Sequence, residues 1–271
     1  MNAARQLLFP FTQRWRERRD SYRPAGEPLR TAEYDIAAIP DDTTAKDFVI
    51  RHHYAASYPA ARLRYGLYHQ DALVGVAVYS HPVSDRVLTS VFPGAAVESV
   101  ELGRFVLLDD VPANGETWFL SRTFTLLKRE GLLGVVSFSD PVPRTALGGQ
   151  TIFLGHVGTI YQAGNAVYLG RGAAQTLRLL PDGRAFSHRA EEKIRHREQG
   201  WRYAAKTLVD HGADPLTEPD DPAEWLARWL PRLTRRLRHP GNHKYAWSLD
   251  PRIRRHLPPS RPYPKRQFDL A

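Results

Sequence analysis

The sequence predicts an α/β protein with a mixed central sheet, flanking helices and a basic helical C-terminal extension. Three observations lead there. Leu63–His69 and Ala72–Ser80 alternate with period two and are separated only by Gln70-Asp71, the pattern of an antiparallel hairpin. A strand over Val97–Leu108, an apolar-faced helix over Glu116–Arg129 and a strand over Leu132–Phe138 make a crossover, which implies a parallel pair. Beyond residue 188, apolar stripes at helical spacing carry arginines and lysines on their other sides. The expected organisation is a basic N-terminal arm (1–32), a core (33–187), and a basic helical extension and tail packed on that core (188–271).

Taken in order, residues 1–32 mix Arg14, Arg16, Arg18 and Arg19 with Phe9, Phe11, Trp15 and Tyr22, and Pro24–Pro28 reads as a linker. Such an arm suits a phosphate backbone, with arginine for charge and rings for stacking. It suits equally a strand or helix packed on the body. Asp41-Asp-Thr-Thr44 supplies N-cap chemistry for a helix reaching about His53, with Phe48 and Ile50 turned inward. After the hairpin, a mobile-looking loop with Pro82, Pro93 and Gly94 leads to the 97–108 strand. Ser139-Asp140-Pro141 ends the next strand, and Gly155–Asn165 precedes a short strand, Ala166–Leu169. Thr176–Leu180 and Arg184–Phe186 flank Pro181-Asp-Gly183 as a second hairpin. One long helix is expected from Arg189 to Asp210, closed by Gly212. Another starts at Pro222, kinks at Pro231 and ends in Arg235–Arg238. A strand-like Lys244–Leu249 precedes a Pro- and Arg-rich tail. The basic helix sides fit either a DNA-docking cap or plain packing with solvated charge.

The chain has no cysteine, which excludes thiol catalysis, thiolate metal sites and a disulfide frame and makes a cytoplasmic location the default. Its longest apolar run, near Leu132–Val136, is far below the ~20 residues of a membrane span, and no signal peptide is apparent. Charge is unevenly placed. Residues 1–32 carry seven basic and three acidic groups, residues 33–180 twelve and fourteen, and residues 181–271 nineteen and twelve. A near-neutral core with basic ends suits a protein that docks a polyanion, double-stranded DNA in the leading reading.

Group transfer to an amine needs a base for the proton, an acid for the leaving group and a donor for a developing oxyanion. The candidates near strand ends are His53, Tyr54, Glu101, Asp140, His156 and Tyr161. Asp140 ends an apolar strand, where partial burial would raise its pKa towards basic duty. His52 and His53 point about 100° apart on a helix and cannot share one site. His53, Asp140 and His156 would also suit a histidine/carboxylate metal site with open positions.

The order helix, strand, strand, strand, helix, strand, helix, strand resembles that of the acyl-CoA-dependent N-acetyltransferase (GNAT-like) fold. In that fold a diphosphate sits on backbone amides at the N-terminus of the central helix. The corresponding loop here is Pro112–Thr117, so Leu107, Asn114, Gly115 and Thr117 are expected beside the donor, acetyl-CoA or a related acyl donor. The loop departs from the usual Arg-x-x-Gly-x-Gly pattern, and Glu116 is an awkward neighbour for a phosphate.

Several stretches together resemble the Mom family of phage DNA-modification proteins. They are His52-His-Tyr54, Leu73-Val-Gly-Val-Ala77, Glu101-Leu-Gly-Arg-Phe-Val-Leu-Leu-Asp109, Pro112-Ala-Asn114, Val136-Ser-Phe-Ser-Asp140 and, most specifically, Gly155–Gly170. The likeness runs from about residue 48 to 170 and continues loosely through His243-Lys-Tyr245 and Pro262–Lys265. It implies conversion of the exocyclic amine of adenine in DNA to a methylcarbamoyl- or acetamido-type derivative, which protects phage DNA from restriction. It also implies acetyl-CoA as donor and a proposed iron requirement. By motif position, His53, Tyr54, Asp140 and Tyr161 match the residues expected to be essential, with Arg104 nearer the donor. The chain departs in having Ala55-Ala56 where Ser-Gly is commoner, Gly103 where Ser is expected, and an insertion over Pro143–Leu154. An N-acyltransferase acting on another amine and a non-enzymatic nucleic-acid-binding protein are the alternatives.

Overall fold

The computed structural model describes residues 11–24 and 26–265. Residues 1–10, and with them Phe9 of the expected arm, lie outside the described residues. Strands β1 (Phe11–Arg16) and β2 (Arg19–Pro24) form a hairpin turned at Glu17 and Arg18, both with positive φ. β3 (Tyr34–Ala38) is a strand that sequence alternation did not announce. Helix α1 (Asp42–His52) starts where Asp41 accepts from the Thr44 amide at 3.0 Å. Its buried face is Ala45, Val49 and His52, at helical spacing, with Phe48 and Ile50 only half-buried rather than turned inward. The expected hairpin is β4 (Ala61–His69) with β5 (Ala72–Ser80); Gln70 and Asp71 both take positive φ, as a type I′ turn requires. The Pro82–Gly94 stretch, read as a loop, holds helix α2 (Arg86–Val91), which buries Leu88 and Val91. Then come β6 (Ser99–Leu107), α3 (Gly115–Arg129) and β7 (Gly134–Ser139).

The remaining elements are β8 (Arg144–Thr145), β9 (Thr151–Phe153), α4 (Thr159–Ala163), β10 (Val167–Arg171), β11 (Gln175–Leu179), β12 (Ala185–Phe186), α5 (His188–Arg195), α6 (Trp201–Val209), α7 (Pro222–Leu233), β13 (Arg235–His239), β14 (His243–Ser248) and α8 (Pro251–Arg254). The chain divides into two compact units. The first runs to Pro141 and adds His156–Arg171 and Asn242 onward; the second is Val142–Gly155 with Gly172–Gly241.

The first unit is built on a seven-stranded sheet, ordered β10-β14-β7-β6-β5-β4-β3. Every neighbouring pair is antiparallel except β6 and β7, the parallel pair that the crossover demanded. With α2 and the β8–β9 pair inserted, α1 to β10 reproduce the GNAT-like order of elements. The parallel pairing lasts only from Ser99 to Glu101 on β6 and from Gly134 to Val136 on β7. Beyond it, β6 continues against β5 to Leu107 while β7 continues against β14 to Ser139, so the two strands splay apart. The Leu102 carbonyl, which loses its ladder partner there, accepts from the Ser137 hydroxyl at 3.0 Å.

A bulge lies beside the splay. Tyr79 pairs with Leu102 and Val78 with Arg104, leaving Gly103 as the extra residue. Any Cβ at Gly103 would lie 2.5 Å from the Ser80 hydroxyl, so Ser80 fills the space that a residue 103 side chain would need.

The β1–β2 hairpin is fastened to this unit by a buried ion pair. The Arg14 guanidinium meets the Glu116 carboxylate in the first turn of α3 and donates to the carbonyls of Val111 and Pro112 at 3.3 and 2.9 Å. Both side chains are almost wholly buried, and burial lowers the Arg14 pKa to about 10, which leaves it charged. Arg23 donates to the Asp109 carbonyl at 2.6 Å, and the Glu17 and Arg18 amides bond the ring and carbonyl of His52. The part of the arm from residue 11 is thus a strand pair tied to the body.

The second unit packs α5, α6 and α7 with the three-stranded sheet β12-β11-β13 around Phe186, Ile194, Trp201, Leu208, Trp225 and Leu230. The insertion at 143–154 forms the β8–β9 hairpin in this unit. The expected hairpin at Pro181–Gly183 is present as β11–β12. The single helix expected over Arg189–Asp210 is two helices. Arg197 and Gly200 take positive φ between them, and the Arg197 guanidinium is held by the carbonyls of Thr217, Glu218 and Asp220. The expected helical end at Arg235–Arg238 is strand β13 instead. The helix stops two residues after Pro231, Thr234 is extended, and β13 pairs with β11.

Two stability tests follow. In urea melts, Arg14→Ala or Glu116→Ala alone costs ~3–5 kcal/mol, because each leaves an unpaired buried charge, while Arg14→Leu/Glu116→Leu costs clearly less than the sum. Gly103→Ser costs ~1–3 kcal/mol by overpacking, and added Ser80→Ala recovers part of it.

Candidate active site

The splay between β6 and β7 organises the candidate residues. Because Gly103 is bulged, Glu101 pairs with Ser80 and Arg104 with Val78, two residues on one face of β5. The bulge therefore brings Glu101 and Arg104 to the same face of the sheet, where strict alternation would have parted them. Helix α1 packs on this face through Val49 against Val76, Val78 and Val106, and its C-terminus delivers His53 and Tyr54.

Arg104 is the electrostatic centre. Its Nε donates to the Ser57 carbonyl at 2.8 Å, Nη2 to the Ser57 hydroxyl at 2.7 Å and Nη1 to the Gly103 carbonyl at 2.5 Å. Burial lowers its pKa, and the field of Tyr54, Glu101 and Tyr161 opposes that shift. Glu101 is mostly buried, and desolvation pushes its carboxyl up to about 7 despite the cation of Arg104.

His53 caps α1 and is 6% exposed. Its Nδ1 accepts from the Ala55 amide at 3.0 Å, so the neutral ring carries its proton on Nε2. Burial, Arg104 and His156 together hold its pKa well below the usual histidine value. The ring lies 4.1 Å, centroid to centroid, from that of Tyr54. Ala56, in the tight turn that follows, has φ of 45°, a region where glycine carries no steric cost. The Tyr54 hydroxyl lies 3.5 Å from His156 Nε2, and the His156 amide donates to the Asp140 carbonyl at 2.8 Å. Asp140 itself is buried at the end of β7.

Tyr161, on α4, comes from the other face, packed edge-on against Tyr245 and Trp247. Burial raises its hydroxyl pKa, a hydrogen bond with Ser137 works against this, and the charges of Glu101 and Arg104 reach it. Groups from both faces meet because the strands have parted.

The expected residues thus divide. His53, Tyr54, Glu101, Arg104, His156 and Tyr161 form one electrostatically coupled cluster, and Asp140 anchors its His156 loop. Among the described residues no group of three His, Cys, Asp or Glu can hold a metal ion. The expected His53, Asp140 and His156 set is therefore not assembled: Nδ1 of His53 is taken by the Ala55 amide and Nε2 of His156 faces Tyr54. Ser57, Ser80 and Ser137, which hold the cluster, carried no signal in the sequence beyond small side chains at strand or loop positions.

The loop expected to take a donor diphosphate does not fit one. Leu107 is 3% exposed, in the core. The Gly115 amide donates to the Pro112 carbonyl, and the Thr117 hydroxyl to the Asn114 carbonyl at 3.1 Å. The anion at the first turn of α3 is Glu116, already neutralised by Arg14, and Asp109 and Asp110 flank the loop. A helix N-terminus binds phosphate through free amides and its dipole; here the chain supplies its own carboxylate to that field.

The profile of the Mom protein family matches residues 33–265. No curated protein matches the chain. Similar solved structures include a tandem GNAT protein from the clavulanic acid biosynthesis pathway, at 8% identity and TM-score 0.43, covering 81% of this chain and 99% of that one. A Bacillus subtilis acetyltransferase in complex with CoA is 9% identical at TM-score 0.33, covering 80% and 97%. An N-acetyltransferase from Staphylococcus aureus Mu50 is 10% identical at TM-score 0.34, covering 80% and 99%. With its profile match spanning residues 33–265 of 271, the chain belongs to the Mom protein family.

Proposed function

We propose that this protein is a DNA-modifying transferase that converts the exocyclic amine of adenine to a methylcarbamoyl- or acetamido-type derivative, a modification that shields phage DNA from restriction. The reading is carried by one conjunction: membership of the Mom family, with a carboxyl of pKa about 7 set beside a half-buried guanidinium in the cluster at the splay. The target base has to leave the duplex to reach such a cluster, and Tyr54, half-buried beside His53, is the ring for it to stack on.

In the transfer, the adenine nitrogen bonds to the donor carbon while the bond from that carbon to the leaving group breaks. Glu101, close to half-ionised at neutral pH, takes the amine proton. Arg104 and the Nε2–H of His53 face the negative charge that develops on the donor oxygen. Tyr161, kept protonated by burial, returns a proton to the leaving group. Asp140 and His156 hold the wall on which Tyr54 rests. The donor is a small molecule. Acetyl-CoA, the one that the resemblance names, would leave an N-acetyl group by this step, so a methylcarbamoyl product needs a donor that already carries the carboxamide nitrogen. The first turn of α3 offers a diphosphate no site. The proposed setting is the cytoplasm of a bacterial host; no helix among the described residues is long and apolar enough to cross a membrane.

Mass spectrometry of nucleosides from plasmid DNA of expressing cells tests this. A modified deoxyadenosine is expected from the wild type, whereas unaltered deoxyadenosine would move the acceptor to another amine. Asp140→Asn abolishes the modification while circular dichroism shows a folded protein, and full activity in that variant removes Asp140 from the site. Glu101→Gln has a two-part signature. Activity rises with pH through about 7 in the wild type and is lost in the variant. The raised carboxyl pKa means that the folded state binds the proton more tightly, so this group's stabilising contribution is full below its unfolded value and is lost as pH rises through about 7. At pH ~8 the variant is accordingly more stable than the wild type, by on the order of 1–3 kcal/mol, as a thermal melt would read.

A further inference from the structure

Residues 225–241 contain five arginines and no acid. They lie in the second unit, where most other basic side chains are already neutralised. Arg178 pairs with Glu191 at 3.1 Å, Arg184 with Asp182 at 2.6 Å, Arg197 and Arg202 with Glu218 at 2.9 and 2.5 Å, and Lys206 with Asp210 at 2.5 Å. Arg235 is turned to the Thr145 carbonyl and hydroxyl. Arg228, Arg232, Arg236 and Arg238 differ: all four are exposed and none lies within ion-pair distance of a carboxylate among the described residues, although the charge of Arg228 reaches the Asp220 carboxylate.

The fold gathers them. Arg228 and Arg232 are four apart on α7, on the side away from its buried Leu226 and Leu230. Arg236 and Arg238 alternate on one face of β13, an edge strand, at a pitch of ~7 Å. Arg236 stands directly opposite Arg178 on β11. Arg178 lines one shallow cavity with Ala223, Ala227 and Pro231 of α7, so the strand face with Arg236 runs alongside that flank of the helix, one residue round from Arg228 and Arg232. Like charges placed opposite each other in a sheet are unfavourable. Glu191 neutralises Arg178, and no side chain does so for Arg236.

We infer that this surface of the second unit docks the phosphate backbone of duplex DNA. The choice of DNA rests on the function proposed above; the anionic, repeating character of the partner rests on the arginines themselves. Four exposed guanidiniums at strand and helix pitch suit successive phosphates. They supply position and affinity without reading sequence.

The test is fluorescence anisotropy of the full chain with a labelled duplex oligonucleotide, titrated across salt concentrations. Each phosphate contact contributes about 0.9 to the slope of log affinity against log salt. Arg236→Gln/Arg238→Gln is expected to make the slope shallower by about 2 and to weaken binding about tenfold or more at moderate salt. The quadruple variant, with Arg228→Gln and Arg232→Gln added, roughly doubles the change in slope, while Arg202→Gln, a charge already paired with Glu218, leaves it unaltered. The inference is overturned by a wild type that does not bind the duplex at low salt, by an unchanged slope in the quadruple variant, or by an equal loss in Arg202→Gln. Failure here and failure of the proposed function are separable. Binding lost through these arginines by a protein that leaves adenine unmodified would sink the function alone; modified adenine with an unchanged slope would sink the docking surface alone.

Discussion

The first unit depends on the parting of β6 from β7 after three paired positions. A parallel pair that continued would have consumed the Leu102 carbonyl in its ladder and closed the sheet over the space where the cluster lies. Ser137 accepts the structural consequence by donating its hydroxyl to that carbonyl. The bulge at Gly103 then turns Arg104 to the side of Glu101, and Ser57 fixes the guanidinium by two hydrogen bonds. Opening, bulge and anchor act together. Without the opening Tyr161 would be sealed behind the sheet, and without the bulge Arg104 would point away from the carboxyl whose charge it moderates.

The electrostatics of the same unit run against stability at one place and with it at another. Glu101 is held where its charged form is disfavoured, which is the condition for a base poised near neutrality. Arg14 and Glu116 are instead buried as a pair, each satisfying the other. Their position matters for function, because the first turn of the central helix is where a GNAT-like fold offers amides to an anion. The chain places its own acid there and covers it with an arginine from the N-terminal hairpin, so the donor of the proposed transfer would be held by other groups.

Much of the fold was legible. Period-two alternation found β4 and β5, the crossover found β6, α3 and β7, and Asp41 marked the start of α1. The failures have physical causes. The stripe from Ala190 to Leu208 is continuous in pattern, yet positive φ at Arg197 and Gly200 breaks the helix, and only the carbonyls gathered around Arg197 make that break favourable. The arginines after Pro231 look like a helical end, and partnership with β11 makes them a strand. The strand at 243–248 was visible locally. Its insertion between β10 and β7 was not, because pairing across such sequence distance leaves no local trace.

The sequence by itself determined the class of the fold, the run of elements through the core, the family and the residue types available for chemistry. Those follow from local periodicity, turn chemistry and motif order. Tertiary structure alone decided which of those residues meet. Glu101 and Arg104 share a face because a bulge displaces the register by one residue. Tyr161 reaches them because two strands diverge. His53 and His156 do not form a metal site with Asp140 because their ring nitrogens are turned to the Ala55 amide and to Tyr54. Each is a matter of one register step or one ring orientation, below what spacing along a chain can specify.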